Sequence, residues 1–447
     1  MFAVVCGVIL FLHHQVLSDM FGDKCRFKNV LQCEFDKRKR TWIKSFSRPE
    51  MLTGDVEQLK DDMVFDYITG EERALPANVD FWSFGYSCKD LSSLNNFSHS
   101  YKDTCLQTKT GSTGRTWRGN LDYVAKTRPL YVLMENVMAA MRGDNFRQMR
   151  ADLAEMGYVL LSVPLNAAEA GFPQDRWRAY FVGIRNDIVD PSLCQDVFEE
   201  CINDMKLDTA LPIGKILLPP NHSYLLQVMH DRRQRAKERA MKKLRTKLVT
   251  KKKPAATKQK RSGLQWKVDH WRCRRLLGMP GVQRETPEQI TNVATCNAMC
   301  EREADLYHIV SDTNPDPQCT PTIELKHSAP RVVRPVVVQS RIRGKRYKGS
   351  TSCLLPSSKM LLFQPHVPEP RYLLGAEALA LQGIPHCYTT VDTVVQDGDL
   401  MNLGGNAFNG GCAAMVVIAA MISSTFPDGE RSMLAEEQLR KMFASEP

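Results

Sequence analysis

Three short apolar runs in this chain are each followed directly by side chains that can do chemistry. They are Cys88 after the run 79–84, Glu135 after the run 130–134, and Glu34 with Phe35 after the run 30–32. A thiol can act as a nucleophile, and a carboxyl group can act as a general acid or base. Each residue also has an ordinary structural explanation, because free cysteines are mostly buried and acids often lie in solvated turns.

The elements that would position these residues form an alternating pattern. From the start to about residue 187, short apolar runs alternate with amphipathic segments of helical length, such as 146–156. The runs, including one at 180–184, are short enough to be strands buried on both faces. This alternation predicts an α/β fold with a doubly wound, mostly parallel sheet. Ligands bind such sheets beyond the carboxyl ends of the strands, so the thiol, the acids and the aromatic ring are expected to converge.

The regular pattern stops near residue 188, where the chain divides into predicted parts. Residues 1–187 would form the first part of the α/β domain and residues 359–427 its last part. Between them, 188–358 is rich in proline and basic residues and is predicted to be a smaller inserted domain. The run 412–421 predicts a tightly packed helix of small residues, and 428–447 is expected to be a polar tail.

Several motifs occur in the order typical of one enzyme family. The strong ones are Glu135, Asn136 and Val137 after an apolar run, and Gln174, Arg176 and Arg178 within 166–185; weaker ones lie at 33–36, 54–56, 371–385 and 405–411. On these residues the chain resembles the DNA cytosine-5 methyltransferase family, over 29–187 and again over 371–421. The resemblance implies a Rossmann-like methyltransferase domain whose inserted segment recognises the target sequence.

The resemblance also implies a base-flipping enzyme that methylates C5 of cytosine. Because C5 is a poor nucleophile, Cys88 would first attack C6 of the ring. A protonated Glu135 would stabilise charge at N3, Arg178 would hold the O2 atom, and Arg176 would orient nearby groups or a phosphate. The target base must leave the stacked duplex to reach these groups, and Ser92 would help to anchor the DNA backbone.

The methyl donor implied by the resemblance is S-adenosyl-L-methionine. Glu34 would bind its ribose hydroxyls, Phe35 would stack on the adenine, and Asp55 would accept from the adenine amino group. Asn406 would line the same pocket. The first motif of the family is a strand followed by a glycine-rich turn, and only Gly7 is available here. Either the turn is shortened or the chain lacks the motif. In both cases the sequence does not establish how tightly the chain binds the methyl donor.

The positive charge of the chain is concentrated in one stretch. The formal net charge is +10, and about half of the positions in 232–261 are Lys or Arg. Such a run, which includes Lys242, Lys243 and Arg245, can neutralise DNA phosphates, and it can equally act as a nuclear-import signal. Double-stranded DNA as the partner and a nuclear location are therefore our expectations.

Other features argue against several classes of protein. Fourteen dispersed cysteines in a chain of 447 residues fit a reducing compartment without disulfides. Cys296, Cys300 and His308 lack the second cysteine pair of a zinc site, so no metal is expected. The apolar residues 1–12 lack a basic leader and are too few to span a bilayer, so a buried strand is expected there and no membrane contact.

Two alternatives stay open on the sequence. One branch of the family methylates a transfer RNA, so RNA is an alternative substrate. A non-enzymatic DNA-binding or regulatory protein built on a degraded methyltransferase is the second, and the weak first motif supports it. Ser87 replaces the family's usual proline before the nucleophile, which relaxes the backbone of the catalytic loop and is compatible with activity.

Overall fold

The structure is a computed structural model that describes the α/β domain and pieces of the inserted segment. The described residues are 28–92, 104–108, 111–189, 194–249, 351–356, 358–362, 371–389 and 395–424, with short pieces at 270–271, 275, 322–324, 331–333 and 337–339. Within 233–249 the backbone is described together with some of the side chains.

Residues 32–185 form the sheets that carry the reactive residues. The strands are β1 (Gln32–Cys33), β2 (Leu52–Thr53), β3 (Met63–Asp66), β4 (Glu71–Ala74), β5 (Phe81–Gly85), β6 (Tyr131–Asn136), β7 (Tyr158–Asn166), β8 (Gln174–Asp175) and β9 (Trp177–Arg185). Strands β1 and β2 pair in parallel, and β3 and β4 form an antiparallel hairpin. The largest described sheet has the order β5-β6-β9-β7, with β5 and β6 parallel and β9 antiparallel to both of its neighbours.

Helices cover both faces of the four-stranded sheet. The described helices of the chain are α1 (Lys37–Phe46), α2 (Cys105–Thr108), α3 (Gly111–Thr127), α4 (Gly143–Glu155), α5 (Cys194–Asp204), α6 (Ser223–Val249), α7 (Gly375–Ala380), α8 (Asp397–Asn406) and α9 (Gly410–Ile422). Successive side chains of a strand point to opposite faces, so Val132 and Met134 of β6 pack with α3 and α4. Tyr131 and Leu133 pack on the other face with α5 and α9. Strand β6 is therefore fully buried between two apolar layers, one on each face of the sheet.

The remaining strands belong to the second half of the chain. They are β10 (Thr322–Glu324), β11 (Arg331–Val333), β12 (Val337–Gln339), β13 (Thr351–Ser352), β14 (Met360–Leu362) and β15 (Arg371–Tyr372). Strand β14 pairs antiparallel with both β10 and β15, and β11 pairs with β12. Strand β13 pairs in parallel with β8, which brings residue 351 beside residue 174.

The predicted α/β, Rossmann-like fold class is confirmed, and the runs predicted as strands correspond to β1, β5, β6 and β9. The largest described sheet is mixed and not mostly parallel as predicted, because β9 runs antiparallel to both β6 and β7. The predicted helix 146–156 is α4, and the small-residue helix 412–421 is α9. Strand β7 is not among the predicted strands, because Pro164 interrupts the pattern expected of a buried strand. The sheet order explains this proline: β7 pairs only with β9 within the described sheet, so it is an edge strand there.

The predicted domain boundaries stay predictions, and several contacts cross them. Helix α5 begins after residue 188, yet its Phe198 and Ile202 are buried in the same cluster as Val416 of α9. Strand β10 lies inside the predicted insertion and pairs with β14 beyond residue 358. The predicted strand at 1–12, the three zinc candidates at 296, 300 and 308, and the tail 428–447 lie outside the described residues.

Local signals fix the ends of two helices near the candidate site. The carboxylate of Asp36 accepts from the backbone N–H groups of Arg38 and Lys39, which starts α1. The side chain of Asn409 accepts from the Cys412 N–H and starts α9. By length and composition the segment 397–422 could cross a membrane, but 78% of its apolar window is buried inside the protein. It is therefore the core of this domain.

Candidate active site

The loop that carries Cys88 follows β5 and is held against the first turns of α3. The Ser87 N–H donates to Oγ1 of Thr116 at 2.9 Å, and the Ser112 hydroxyl donates to the Ser87 hydroxyl at 2.9 Å. The Lys89 N–H also donates to the Ser87 hydroxyl, at 3.3 Å. The serine that replaces the family's proline therefore fixes the loop through hydrogen bonds.

A second set of hydrogen bonds continues the same loop. The Thr113 N–H donates to Oδ2 of Asp90 at 2.8 Å, and the Asp90 N–H donates to Oγ1 of Thr113 at 3.2 Å. The N–H groups of Leu91 and Ser92 both donate to the carbonyl of Cys88, at 3.1 and 2.8 Å. Cys88 thus begins a tight turn, and Ser92, the predicted DNA-backbone anchor, lies at the end of that turn.

Glu135 and Arg178 form a buried ion pair one strand away from Cys88. Glu135 lies near the end of β6, and Nε of Arg178 on β9 lies 3.1 Å from its Oε1 atom. The side chains are 10% and 15% exposed, so water screens this pair only weakly. Apart from this guanidinium, no donor among the described residues reaches Oε1.

Asn136 connects the end of β6 to the Cys88 loop. Its Nδ2 atom donates to the carbonyl of Tyr86 at 3.0 Å, two residues before the thiol. Its Oδ1 atom accepts from the Val137 N–H at 2.8 Å. Strands β5 and β6 are parallel neighbours, and Gly85 pairs with Glu135. The Glu135 carboxyl and the Cys88 thiol, three residues after Gly85, therefore lie at the same end of the sheet. The expected convergence of these two residues is therefore present.

The charges of this cluster act on one another. Cys88 is exposed at the surface, yet the protein packed around its sulfur raises the pKa of the thiol; Arg178 opposes this effect and Glu135 adds to it. Burial also raises the pKa of the Glu135 carboxyl, against the positive charges of Arg178 and Arg176. A raised pKa favours a protonated carboxyl, which is the form that can donate a proton.

Arg176 is turned toward the backbone of the C-terminal segment. It is 2% exposed, and its terminal nitrogens donate to the carbonyls of Leu354 at 2.9 Å, Ala407 at 2.8 Å and Gly405 at 3.3 Å. These bonds attach two distant segments to β9. The predicted role in orienting a phosphate stays a prediction, and the observed contacts are those of a structural clamp.

Cys353 is a member of this cluster that the sequence analysis did not single out. Its sulfur accepts from Nη1 of Arg176 at 3.4 Å and from Nη2 of Arg178 at 3.5 Å. Burial opposes ionisation, but the charges of the two arginines outweigh it and lower the pKa of Cys353. No motif contains this cysteine, and only its place after β13 brings it to the arginines.

Three of the predicted cofactor residues lie together at the ends of β1 and β2. The Glu34 N–H donates to the Thr53 carbonyl at 3.0 Å, so Glu34 and Phe35 lie beside Gly54 and Asp55. Glu34 is buried, and Phe35 is 69% exposed. A buried carboxylate, an exposed aromatic ring and a nearby acid fit a ligand that has a hydroxylated sugar and a planar base. These residues therefore fit S-adenosyl-L-methionine.

The other predicted site residues are not brought into this arrangement by any described contact. Asn406 ends α8, where its Nδ2 atom donates to the Asn402 carbonyl at 2.9 Å. Lys242, Lys243 and Arg245 lie on α6, whose backbone alone is described there, and Gly7 lies outside the described residues. In the described part of the chain, no group of three metal-binding side chains occurs.

Comparison with known sequences identifies relatives of this chain. The family model described as C-5 cytosine-specific DNA methylase matches residues 1–418. The DNA (cytosine-5-)-methyltransferase DMT5 of Cryptococcus neoformans var. grubii is 25% identical over 204 residues, which cover 46% of this chain and 8% of the relative. The protein of the same name from Verticillium dahliae is 25% identical over 469 aligned residues, covering 90% of this chain and 18% of the relative. The chain thus spans less than a fifth of either fungal protein.

Solved structures with a similar course of the chain have low sequence identity. The Dnmt2 methyltransferase of S. pombe has a TM-score of 0.46 and 13% identity, covering 93% of this chain and 95% of that one. A putative DNA modification methyltransferase from an E. coli prophage has a TM-score of 0.45 and 14% identity, covering 92% and 94%. The family model covers nearly the whole chain, both strong motifs included, so this chain belongs to the C-5 cytosine-specific DNA methylase family.

Proposed function

We propose that the chain transfers a methyl group from S-adenosyl-L-methionine to C5 of cytosine in double-stranded DNA, through a covalent adduct of Cys88 with a flipped base. The observation that carries this proposal is the buried carboxyl of Glu135. Its Oε1 atom contacts Arg178 and has no other donor among the described residues, and Glu135 lies at the same end of the sheet as the Cys88 loop. N3 of a flipped cytosine, which must take up a proton during the reaction, would be the hydrogen-bond partner of this carboxyl.

The first step adds the Cys88 thiolate to C6 of the ring. The new S–C6 bond uses a lone pair of sulfur, and the electrons of the C5–C6 double bond move toward C5 and N3. Glu135 donates its proton to N3, so negative charge does not accumulate on the ring. Arg178 donates to the O2 atom of the base and stays paired with the carboxylate that Glu135 becomes.

The last step regenerates the free thiolate. After C5 has gained the methyl group, a base removes the C5 proton, and the electrons of that C–H bond restore the C5–C6 double bond. The S–C6 bond breaks, sulfur leaves with its electron pair, and N3 returns its proton to Glu135. Because the pKa of Cys88 is raised, its thiol must release a proton to the solvent before each attack, and the charge of Arg178 favours the thiolate that results.

The cofactor would be held at the ends of β1 and β2. Glu34 would accept from the ribose hydroxyls, Phe35 would stack on the adenine, and Asp55 would accept from its amino group. When bound there, S-adenosyl-L-methionine supplies a methyl group on a positively charged sulfur, which is an electrophilic carbon. The backbone bond of Glu34 to Thr53 keeps these side chains on adjacent strands.

Trapping on 5-fluorocytosine tests the proposal directly. Fluorine at C5 cannot leave as a proton does, so the Cys88 adduct persists and survives denaturing electrophoresis. We expect adducts with duplex DNA that contains 5-fluorocytosine, none with Cys88→Ala, and normal adducts with Cys387→Ala, which changes an exposed cysteine elsewhere. A persistent adduct in Cys88→Ala would overturn the assigned nucleophile.

A substrate comparison tests the choice of DNA. Methyl transfer from labelled S-adenosyl-L-methionine is measured on duplex DNA and on transfer RNA at equal concentrations. Labelling of DNA is expected. Labelling of RNA alone would replace DNA by RNA as the substrate. Absence of cofactor binding by the folded chain in calorimetry would instead indicate a non-enzymatic DNA-binding protein.

A further inference from the structure

The sulfur of Cys353 lies between the two arginines of the candidate active site. It accepts from terminal guanidinium nitrogens of Arg176 at 3.4 Å and of Arg178 at 3.5 Å, and as a thiol it donates to the carbonyl of the neighbouring Leu354 at 3.6 Å. Cys353 directly follows β13, whose residues 351 and 352 pair with 174 and 175 of β8. The backbone pairing therefore places the sulfur next to the start of β9, where both arginines lie.

The charges around the Cys353 sulfur indicate what this residue can do. Arg176 and Arg178 are permanent cations that share one sulfur ligand, and cations so close repel each other. Glu135 is the carboxylate paired with Arg178. Asp175, on the strand paired with β13, accepts from Nδ2 of Asn166 at 2.7 Å. When Glu135 is protonated for its proposed role as an acid, it no longer neutralises Arg178.

We propose that Cys353, as a thiolate, is a positioning residue that holds Arg178 and Arg176 together while Glu135 carries its proton. The thiolate supplies the negative charge that the protonated carboxyl cannot, so Arg178 keeps its orientation toward the base. Cys353 does not touch the reacting atoms in this scheme and acts through Arg178. The kinetic part of this inference rests on the proposed function, and its electrostatic part does not.

Site-resolved alkylation tests the electrostatic part. The full chain is treated briefly with iodoacetamide at a series of pH values, and modification of each cysteine is measured by mass spectrometry. Cys353 is expected to reach half its maximal rate below pH ~8.5, the value of an ordinary thiol. Arg178→Met should move this midpoint upward, and Arg178→Lys, which keeps a charge, should move it less. A Cys353 midpoint at or above that of exposed Cys387 would overturn the inference.

Substitutions of Cys353 test the positioning role. Cys353→Ser keeps a hydrogen-bond acceptor without the charge, and we expect its single-turnover rate to fall about threefold to tenfold at neutral pH. Cys353→Asp restores a negative charge and should recover part of the rate, whereas Cys387→Ser should match the wild type. The pH profile of the wild type should contain an ionisation that Cys353→Ser lacks.

The outcomes separate this inference from the proposed function. Identical pH profiles of the wild type and Cys353→Ser, or a Cys353→Asp variant slower than Cys353→Ser while equally folded by circular dichroism, would overturn the positioning role. A low alkylation midpoint in a protein that transfers no methyl group to any nucleic acid would contradict the proposed function and leave the charge assignment intact.

Discussion

Glu135 combines two properties that usually exclude each other. It contacts Arg178 in a buried ion pair, which favours the carboxylate, yet burial raises the pKa of its carboxyl. The effect of burial outweighs that of the arginines, so the pKa of Glu135 is raised, which favours the protonated form that a proton donor requires. At the residue scale, the chemistry of this site depends on that balance.

Replacement of Glu135 by Gln removes the proton and keeps the shape. We expect single-turnover methyl transfer to fall by about 10²-fold to 10⁴-fold, the range for loss of a general acid, with little change in S-adenosyl-L-methionine affinity. Rapid-quench kinetics and calorimetry provide the two measurements. Glu155→Gln, an exposed acid at the end of α4, is the matched control and should keep the wild-type rate.

At the scale of elements, α3 positions the loop of Cys88, the proposed nucleophile. Its first two turns supply Ser112, Thr113 and Thr116, and each of them bonds the loop that carries Cys88. The Ser87 residue is 2% exposed, so its N–H has no access to water if Thr116 is changed. The conformation of the Cys88 loop therefore depends on its hydrogen bonds to this helix.

Thr116→Val tests this dependence. Valine has the shape of threonine without the oxygen, so the Ser87 N–H loses its acceptor, at a cost of about 1–3 kcal/mol. We expect a lower thermal midpoint and slower adduct formation by Cys88 on 5-fluorocytosine DNA. Thr127→Val, in the last turn of the same helix, should form adducts at the wild-type rate. Equal rates for the two variants would contradict a positioning role for α3.

The hairpin of β3 and β4 is attached to β2 through Asp66. This side chain is fully buried and accepts from the N–H groups of Leu52 and Ile68 and from the Arg73 guanidinium. Burial opposes its ionisation, but these donors outweigh burial and lower the pKa of Asp66. The folded protein therefore holds the ionised form more strongly than the unfolded chain does.

The pH dependence of Asp66→Asn follows from that direction. The carboxylate stabilises the fold above the unfolded pKa of about 3.9, and this stabilisation is lost as pH falls through the lower folded pKa. At pH 7 we expect Asp66→Asn to reduce the free energy of unfolding by about 1–3 kcal/mol. Urea titrations should show this difference shrinking as the pH drops toward 3. Exposed Asp61→Asn should show no such pH-dependent loss.

At the scale of the whole molecule, buried polar residues join distant parts of the chain. Glu377 accepts from Arg371, from the Leu374 N–H and from the Leu218 N–H. Arg232, the first residue of the basic stretch, pairs with Asp397 of α8. This pair attaches α6 to the α/β domain at Arg232, where the basic part of the helix begins.

A change of the basic stretch should alter the salt dependence of DNA binding. We expect alanine at Lys242, Lys243 and Arg245 to reduce the slope of log affinity against log salt by about 3, because each phosphate contact contributes about 0.9. Fluorescence anisotropy with duplex DNA gives the slope. The control changes three exposed arginines, Arg118, Arg147 and Arg150, to alanine. An unchanged slope in the first variant would favour nuclear import as the role of this stretch.

The sequence by itself determined the fold class and predicted Cys88 and Glu135 as the reactive residues. Strands buried on both faces require apolar runs, and those runs are local features that can be read without knowing what they pack against. Cys88 and Glu135 follow two such runs, and parallel pairing of β5 and β6 brings them to one edge. The family could also be recognised from the sequence, because the order and spacing of its motifs are read along the chain without the structure.

Only the tertiary structure decided how the charges of the site are arranged. Cys353 contacts Arg178, which lies 175 positions earlier in the sequence. The guanidinium of Arg176 donates to the carbonyls of Leu354 and Ala407. Such contacts depend on strand pairing between distant segments, which no local pattern encodes. The position of β9 between β6 and β7 has the same origin, because register and order follow from the packing of the whole sheet.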